Sequence, residues 1–354
     1  MKPERPEHPS DERPVIPPFP IPDPRVPDRD DRHRYTPYIA LDHDDPVSPT
    51  GVFYLSPDIW VVSSLGKNLP KEGEANQIYA RVHNLGLADA VNVNVRFFWA
   101  DPSAAITDAS VQPIGGSLAA ATQAGVFIPA PASPGGDSTV VVPCPSPWFP
   151  IHLGHECLIV KAGSPGFDLA TPPYEPVLDP INDRHSAQHN VDVQLLPPGS
   201  QFQLAIGIGN ISRFAQVTRV QVRALDFARV SRTVEMLGIP LANGLLETPR
   251  SMPLQARLSE EASFFRESSG AFARLLLAAD EAESRDKPSG ARGRAHVIAE
   301  LSAQLAPWER RQVLLSGTVP KEARPGQAFG FDVTQSLGDL VTGGYVSLIV
   351  VARR

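Results

Sequence analysis

Cysteine is nearly absent: Cys144 and Cys157 are the two in a chain of 354 residues. That excludes the disulfide-stapled class of small domains while leaving room for one pair. Long apolar runs are missing too. Tyr345 to Ala352 and Leu275 to Ala279 fall far short of the roughly 18 residues that cross a bilayer, so no transmembrane segment is expected. No stretch concentrates Lys and Arg, and the formal net charge is -7, so nucleic acid is not an expected partner. The opening MKPERPEHPSDERP lacks the apolar stretch of about 7–15 residues that a secretory leader needs. On that reading the protein stays in the cytoplasm, leaves as part of an assembly by a non-standard route, or has lost a leader; extracellular display is the alternative. H-E-x-x-H, Walker A, nucleophile-elbow and dinucleotide motifs are absent, and the G-x-G of Ile206 to Asn210 sits inside an alternating strand with no helix after it. Neither an enzyme nor a cofactor is expected.

What is abundant is proline and glycine, 38 and 26 residues, with valine in alternating runs. Short strands between rigid turns give this profile, so the fold class is mainly β. The length calls for more than one domain. Residues 1–52 read as an extended arm, because Pro14 to Pro27 (PVIPPFPIPDPRVP) cannot donate ladder hydrogen bonds and favours polyproline II geometry. Such a terminus is ordinarily a solvated leader. Here Val15, Ile16, Phe19, Ile21 and Val26 interleave the prolines, which suits an arm that docks on another subunit.

From Phe53 the pattern becomes period two. Gln77 to His83 places Ile78, Ala80 and Val82 on one face and Tyr79, Arg81 and His83 on the other. After the turn at Asn84-Leu85-Gly86, Val91, Val93 and Val95 are expected inward and Asn92, Asn94 and Arg96 outward. Further strands are expected at Gly125 to Ile128, Thr139 to Val142, Cys157 to Ala162 and Ala187 to Leu195. About seven strands over residues 53–196 fit an immunoglobulin-like antiparallel sandwich. SPDIWV (Ser56 to Val61), Asn76 to Gly86, the VNVNVRFFWADPS run and HECL (His155 to Leu158) resemble bacterial domains of the CARDB type. The resemblance implies an Ig-like module named for an association with cell adhesion, appended to surface and secreted proteins.

Residues 197–354 read as a second Ig-like sandwich. Ile208 to Leu225 parallels Val82 to Phe98, with Asn210 matching Asn84. Later strands are expected at Ala295 to Leu301, Arg311 to Thr318, Ala328 to Val333 and Gly344 to Val351. Between them residues 254–283, rich in Ala, Leu, Glu and Arg, predict a helical insertion, with Leu258, Ala262 and Phe265 on one apolar face.

Two clusters have ligand-like chemistry. His152, His155, Cys157 and Cys144 carry donors that zinc accepts, but their spacing matches no established zinc pattern. Buried thiols or a Cys144–Cys157 disulfide account for the cysteines more simply. Asp179, Asp183, His185 and His189 in DPINDRHSAQHN suit a cation or acid–base work, or else a loop tied down by Asp183 and Arg184. The expected function is a non-catalytic structural or interaction protein, a subunit or accessory component of a larger bacterial assembly whose partners are other protein subunits. The alternative is a secreted or surface adhesion module that binds glycans through Trp60, Trp99, Trp148 or Trp308.

Overall fold

The computed structural model describes residues 36–41, 54–100, 111–133, 136–150, 157–165, 168, 183–210, 214–239, 252, 254–264, 297–337 and 340–352. The arm residues Val15, Ile16, Phe19, Ile21 and Val26 lie outside them.

The strands through residue 189 are β1 (Ile39–Ala40), β2 (Ile59–Ser63), β3 (Gly66–Lys67), β4 (Gln77–Asn84), β5 (Ala90–Ala100), β6 (Val111–Pro113), β7 (Thr122–Ile128), β8 (Ser138–Pro143), β9 (Cys157–Gly163) and β10 (Ser186–His189). They form two antiparallel sheets. In one, β4 pairs with β1 and β2 along one edge and with β8 along the other, and β3 extends β2; in the other, β5 lies between β9 and β6/β7, and β10 closes the edge beside β9. Ile78, Ala80 and Val82 of β4 face Val93, Val95 and Phe97 of β5 in one apolar core. Each fully buried Ile, Val or Phe among them contributes about 1.5–3 kcal/mol. Val91 departs from its expected inward position and is 43% exposed. The register of β5 against β7 shifts between Ala90 and Val93, and Asn92 takes φ 55°, so a bulge moves Val91 to the outer face.

The remaining elements are β11 (Val191–Leu196), β12 (Gln201–Gly209), β13 (Gln216–Ala224), α1 (Phe227–Leu237), β14 (Leu254–Phe264), β15 (Val297–Leu305), β16 (Glu309–Thr318), β17 (Ala328–Leu337) and β18 (Leu340–Val351). A five-stranded sheet β11-β18-β17-β13-β15 packs on a three-stranded sheet β12-β16-β14 around a core including Leu204, Ile206, Val222, Leu315 and Phe331. The strand expected over Ala187 to Leu195 breaks at Asn190. Its first part is antiparallel to β9, and its second runs parallel to β18 in the other pair of sheets.

Both sandwiches share one pairing scheme. The pairs β4–β8, β5–β7, β5–β9 and β9–β10 have counterparts in β12–β16, β13–β15, β13–β17 and β17–β18. The repeat read from Asn84 and Asn210 has an atomic basis. Asn84 donates from Nδ2 to the carbonyls of Ala88, Ile128 and Pro129 at 2.9, 3.3 and 3.2 Å. Asn210 donates to those of Phe214, Leu305 and Ala306 at 2.7, 3.2 and 3.0 Å. In each unit the buried amide bridges the fourth residue onward and the end of a strand in the facing sheet.

The expected helical insertion over residues 254–283 is corrected in its first part, and residues 265–283 lie outside the described set. Leu254–Phe264 is a strand, antiparallel to β16. Leu254, Ala256 and Leu258 alternate with Gln255 and Arg257, so this stretch fits a period of two as well as a helix. The open edge of β16 supplies a ladder that overrides helix propensity. The helix found among the described residues comes earlier. In α1 Asp226 caps the amide of Arg229, Gly238 at φ 63° ends the helix, and Val230, Val234 and Leu237 form its buried face.

Replacing Asn84 or Asn210 with alanine removes a donor from three carbonyls and is expected to cost about 1–3 kcal/mol in either unit. Urea unfolding checks this. An unchanged midpoint in either variant would remove the amide from this role.

Candidate functional site

The segment Thr36 to Leu41 is a strap laid into the first sandwich. Tyr38, Ile39, Ala40 and Leu41 are all buried. The Tyr38 amide donates to Asn84 Oδ1 at 3.1 Å, the Ile39 amide to Asp168 Oδ2 at 2.5 Å, and the Leu41 amide to the Arg184 carbonyl at 2.8 Å. Arg184 pairs with Asp168 at 2.5 Å, and its guanidinium lies 3.9 Å from the Tyr38 ring centre. His185 stands between two carboxylates: Nδ1 is 2.8 Å from Asp183 Oδ1, and Nε2 is 3.1 Å from Asp168 Oδ1 but off hydrogen-bond geometry. Lys161 approaches Asp183 at 3.7 Å. Burial alone would raise both carboxyls; His185, with Arg184 beside Asp168 and Lys161 beside Asp183, outweighs it and holds them below the ordinary value.

This is the cluster in which sequence placed acid–base residues. Asp183 accepts from the His185 amide at 3.0 Å and from the Ser186 hydroxyl at 3.3 Å, so it ties down the entry to β10. His189 is separate and buried. Its Nδ1–H donates to the Ser56 carbonyl at 2.9 Å, and burial pushes its pKa down to about 4, keeping the ring neutral. Asp179 lies outside the described residues. The described groups are engaged in packing and pairing, which makes them positioning groups for the strap.

Cys144 and Cys157 are both buried, and no disulfide joins them. Of the two alternatives for the cysteines, buried thiols are the one found, and the reason is geometric: Cys144 belongs to the core between the sheets, whereas Cys157 sits with Phe98, Ala100 and Ile159 on the other face of the second sheet. Burial pushes the Cys144 thiol up to about 11, so it is a poor metal ligand and nucleophile. His152 and His155 lie outside the described residues, and no three His, Cys, Asp or Glu among the described residues form a metal-holding group.

The outer face of the β2/β4/β8 sheet has a different chemistry. Trp60, Tyr79 and Pro143 share one cross-strand row, because Trp60 pairs with Tyr79 and Tyr79 with Pro143. The two rings stack at 5.7 Å with 12° between planes. Lys67 and Arg81 lie 5.2 and 5.9 Å from the Trp60 ring centre. Val62, Leu65 and Val141 are exposed beside them. At one end of this face His83 bridges Asp58 and Asp137, both at 2.8 Å. Burial would lower the His83 pKa, but the hydrogen bonds and charges of the two carboxylates dominate and raise it to about 9. Of the other tryptophans, Trp148 is buried, Trp99 packs on the core, and Trp308 occupies the turn before β16 at φ 62°. Alternation had put Tyr79 and Arg81 outward. The ring pair needed the register of β2 against β4, which local sequence does not carry.

The fold is a pair of Ig-like sandwiches, and residues 56–142 match the family model CARDB, so the resemblance of the first sandwich to that family holds over this stretch. No curated protein gives a significant sequence match. Among solved structures the chain is similar to a family 123 glycoside hydrolase from Clostridium perfringens, at 13% identity and TM-score 0.25 over 47% of this chain and 23% of that one. It is similar to the collagen adhesin of S. aureus, at 8% identity and TM-score 0.22 over 83% and 92%. It is also similar to a putative membrane anchored protein from Corynebacterium diphtheriae, at 8% identity and TM-score 0.22 over 84% and 59%. At these scores the likenesses carry no functional argument. No helix among the described residues is long and apolar enough to cross a membrane.

Two outcomes follow from the strap and the His83 bridge. A side chain at Gly86 would put its first carbon 2.1 Å from the Thr36 carbonyl oxygen, so Gly86→Ala is expected to displace the strap and cost about 1–3 kcal/mol. Hydrogen exchange at Ile39 checks this, and unaltered protection there would contradict it. His83 has a folded pKa above its ordinary 6.5, so its contribution is complete below that value and is lost as pH rises through about 9. His83→Gln should therefore lower the melting temperature at pH 6 and have little effect at pH 10. Equal losses at both values would exclude the charged bridge.

Proposed function

We propose that the chain is a non-catalytic structural and interaction protein, a subunit or accessory component of a larger bacterial assembly that uses its arm and sandwich surfaces for protein contacts. The observation that carries this reading is the strap. Tyr38, Ile39 and Leu41, inside the arm and after its proline-rich stretch Pro14 to Pro27, are locked by buried backbone hydrogen bonds to Asn84, Asp168 and Arg184, which gives the arm a fixed root on the first sandwich. A tail with no role in contact needs no such root. The CARDB match supports an interaction module, and the titratable groups at the strap are spent on holding it.

A second reading has its own support. Stacked Trp60 and Tyr79 with Lys67 and Arg81 beside them form a surface on which a sugar ring of a surface glycan would stack. Glycan-array binding lost in Trp60→Ala would favour that adhesion role.

The assembly reading is tested by cross-linking in native cells followed by sizing of the intact particle. The expected result is a species several times the mass of the 38.2 kDa chain, with other subunits in stoichiometric amount. A cross-linked population that stays at monomer mass would overturn it.

A further inference from the structure

We infer that Arg96, on the outer face of the β5/β9 sheet, is the receptor for one carboxylate of a protein partner, an acidic side chain that completes an ion pair this chain leaves open. The inference rests on the interaction role proposed above. Val95, Phe97, Val160 and Ala162 fill the core between the sheets, so Arg96 and Lys161 stand on the opposite face. The register sets those two cations directly opposite each other and extends the row to Thr122 on one side and Ser186 on the other.

Like charges so placed, with their first side-chain carbons about 5 Å apart, are destabilising unless each is answered. Lys161 is answered by Asp183 at 3.7 Å. Arg96 forms no ion pair with any described residue, and its Nε is buried without a hydrogen-bond partner. A guanidinium is always charged and every N–H on it is a donor, so a buried one left unpaired carries a desolvation cost. An arginine that only lays its stem over a sheet keeps its charged head in water. Arg96 instead is partly buried at the head, and an orphaned donor of this kind marks the place of a missing acceptor.

The chemistry of that acceptor follows from what surrounds it. The strap cluster is already balanced, with Asp168 and Asp183 against Arg184 and Lys161, so Arg96 adds one positive charge that these carboxylates do not offset. A single negative charge balances it, whereas sulfate or phosphate would leave excess negative charge beside Asp183. The hydroxyls of the row are spent, Thr122 on the Leu118 carbonyl at 2.6 Å and Ser186 on Asp183 at 3.3 Å, which leaves the guanidinium as the donor. Its planar fork, Nε included, matches the two oxygens of a carboxylate in parallel hydrogen bonds. A sugar acid would want an exposed ring to stack on, and the aromatic neighbour on this face of β5, Phe98, is buried. An aspartate or glutamate side chain needs no such platform.

The test is a titration of the full chain followed by NMR at the Arg96 Nε–H and at the backbone amides of Arg96 and Lys161. Capped glutamate is the ligand, and capped glutamine, sodium sulfate and sodium chloride at matched ionic strength are the controls. The expected result is a saturating shift of the Nε–H with capped glutamate that neither capped glutamine nor chloride produces. Arg96→Gln should weaken that binding roughly tenfold, the share of one charge-assisted pair. The parent chain carries the primary readout, so the outcome does not depend on how well the variant folds. An Nε–H that stays in place, or moves equally with chloride, would overturn the site while leaving the assembly role standing, because cross-linking in cells reads that role separately. Tighter binding of sulfate than of capped glutamate would overturn the protein carboxylate and favour a sulfated glycan.

Discussion

A primary amide buried where two sheets meet sets the geometry on which both halves of this chain depend. Asn84 ends β4 in one sheet and reaches the end of β7 in the other; Asn210 follows β12 and reaches the end of β15 in the same way. Sheet-on-sheet packing by apolar side chains alone tolerates sliding, because dispersion contacts are non-directional. An amide with three carbonyl partners is directional, and removing its hydrogen bonds is costly. The pin therefore fixes the stagger of the sheets, and in the first sandwich its oxygen also holds Tyr38.

That second use of Asn84 explains why a charged cluster is buried beside it. Desolvating Asp168, Asp183, Arg184 and Lys161 is expensive, and a pair of apolar residues would give comparable stability. What the ionic network adds is a particular arrangement. Asp168 accepts from the Ile39 amide while bound to Arg184, whose own carbonyl accepts from Leu41 and whose guanidinium covers Tyr38. The strap is held by groups that fit one register, and Gly86 leaves the room for it.

Much of this fold was legible in the sequence, and the exceptions have physical causes. Alternation located β4, β8, β9 and β15 to β18 because their burial is one-sided or complete. It failed at Val91, where a bulge changes parity, and over Leu254 to Phe264, where both periods fit and a neighbouring strand decides. The α1 helix carried signals that went unread, Asp226 and Gly238 as caps with Val230, Val234 and Leu237 between them. The strap cluster was half visible. Asp183 and Arg184 stood out as backbone ties, but Asp168 has no local pattern, and its pairing with Arg184 and Ile39 exists only in three dimensions.

The two sandwiches differ in which outer faces they leave open, and this follows from α1. The helix packs Val230, Val234 and Leu237 with Ala328, Leu348 and Val350 of the five-stranded sheet, and Tyr54 and Leu55 of the preceding unit join the same cluster. Tyr54 donates to Asp332 at 2.6 Å, and Asn68 donates to the Leu237 carbonyl at 2.9 Å. One face of the second sandwich is thus consumed by the junction, and the β2–β3 hairpin is tied to the end of the helix. Lys67, next to Asn68, is held by that tie where it can flank Trp60. The aromatic row on the first sandwich is consequently braced from the second at Lys67, while Arg81 is held by Asp58 of its own unit. Preorganisation of that kind lowers the entropy lost when a surface binds, and it gives a repeated fold a reason to keep its two units in contact.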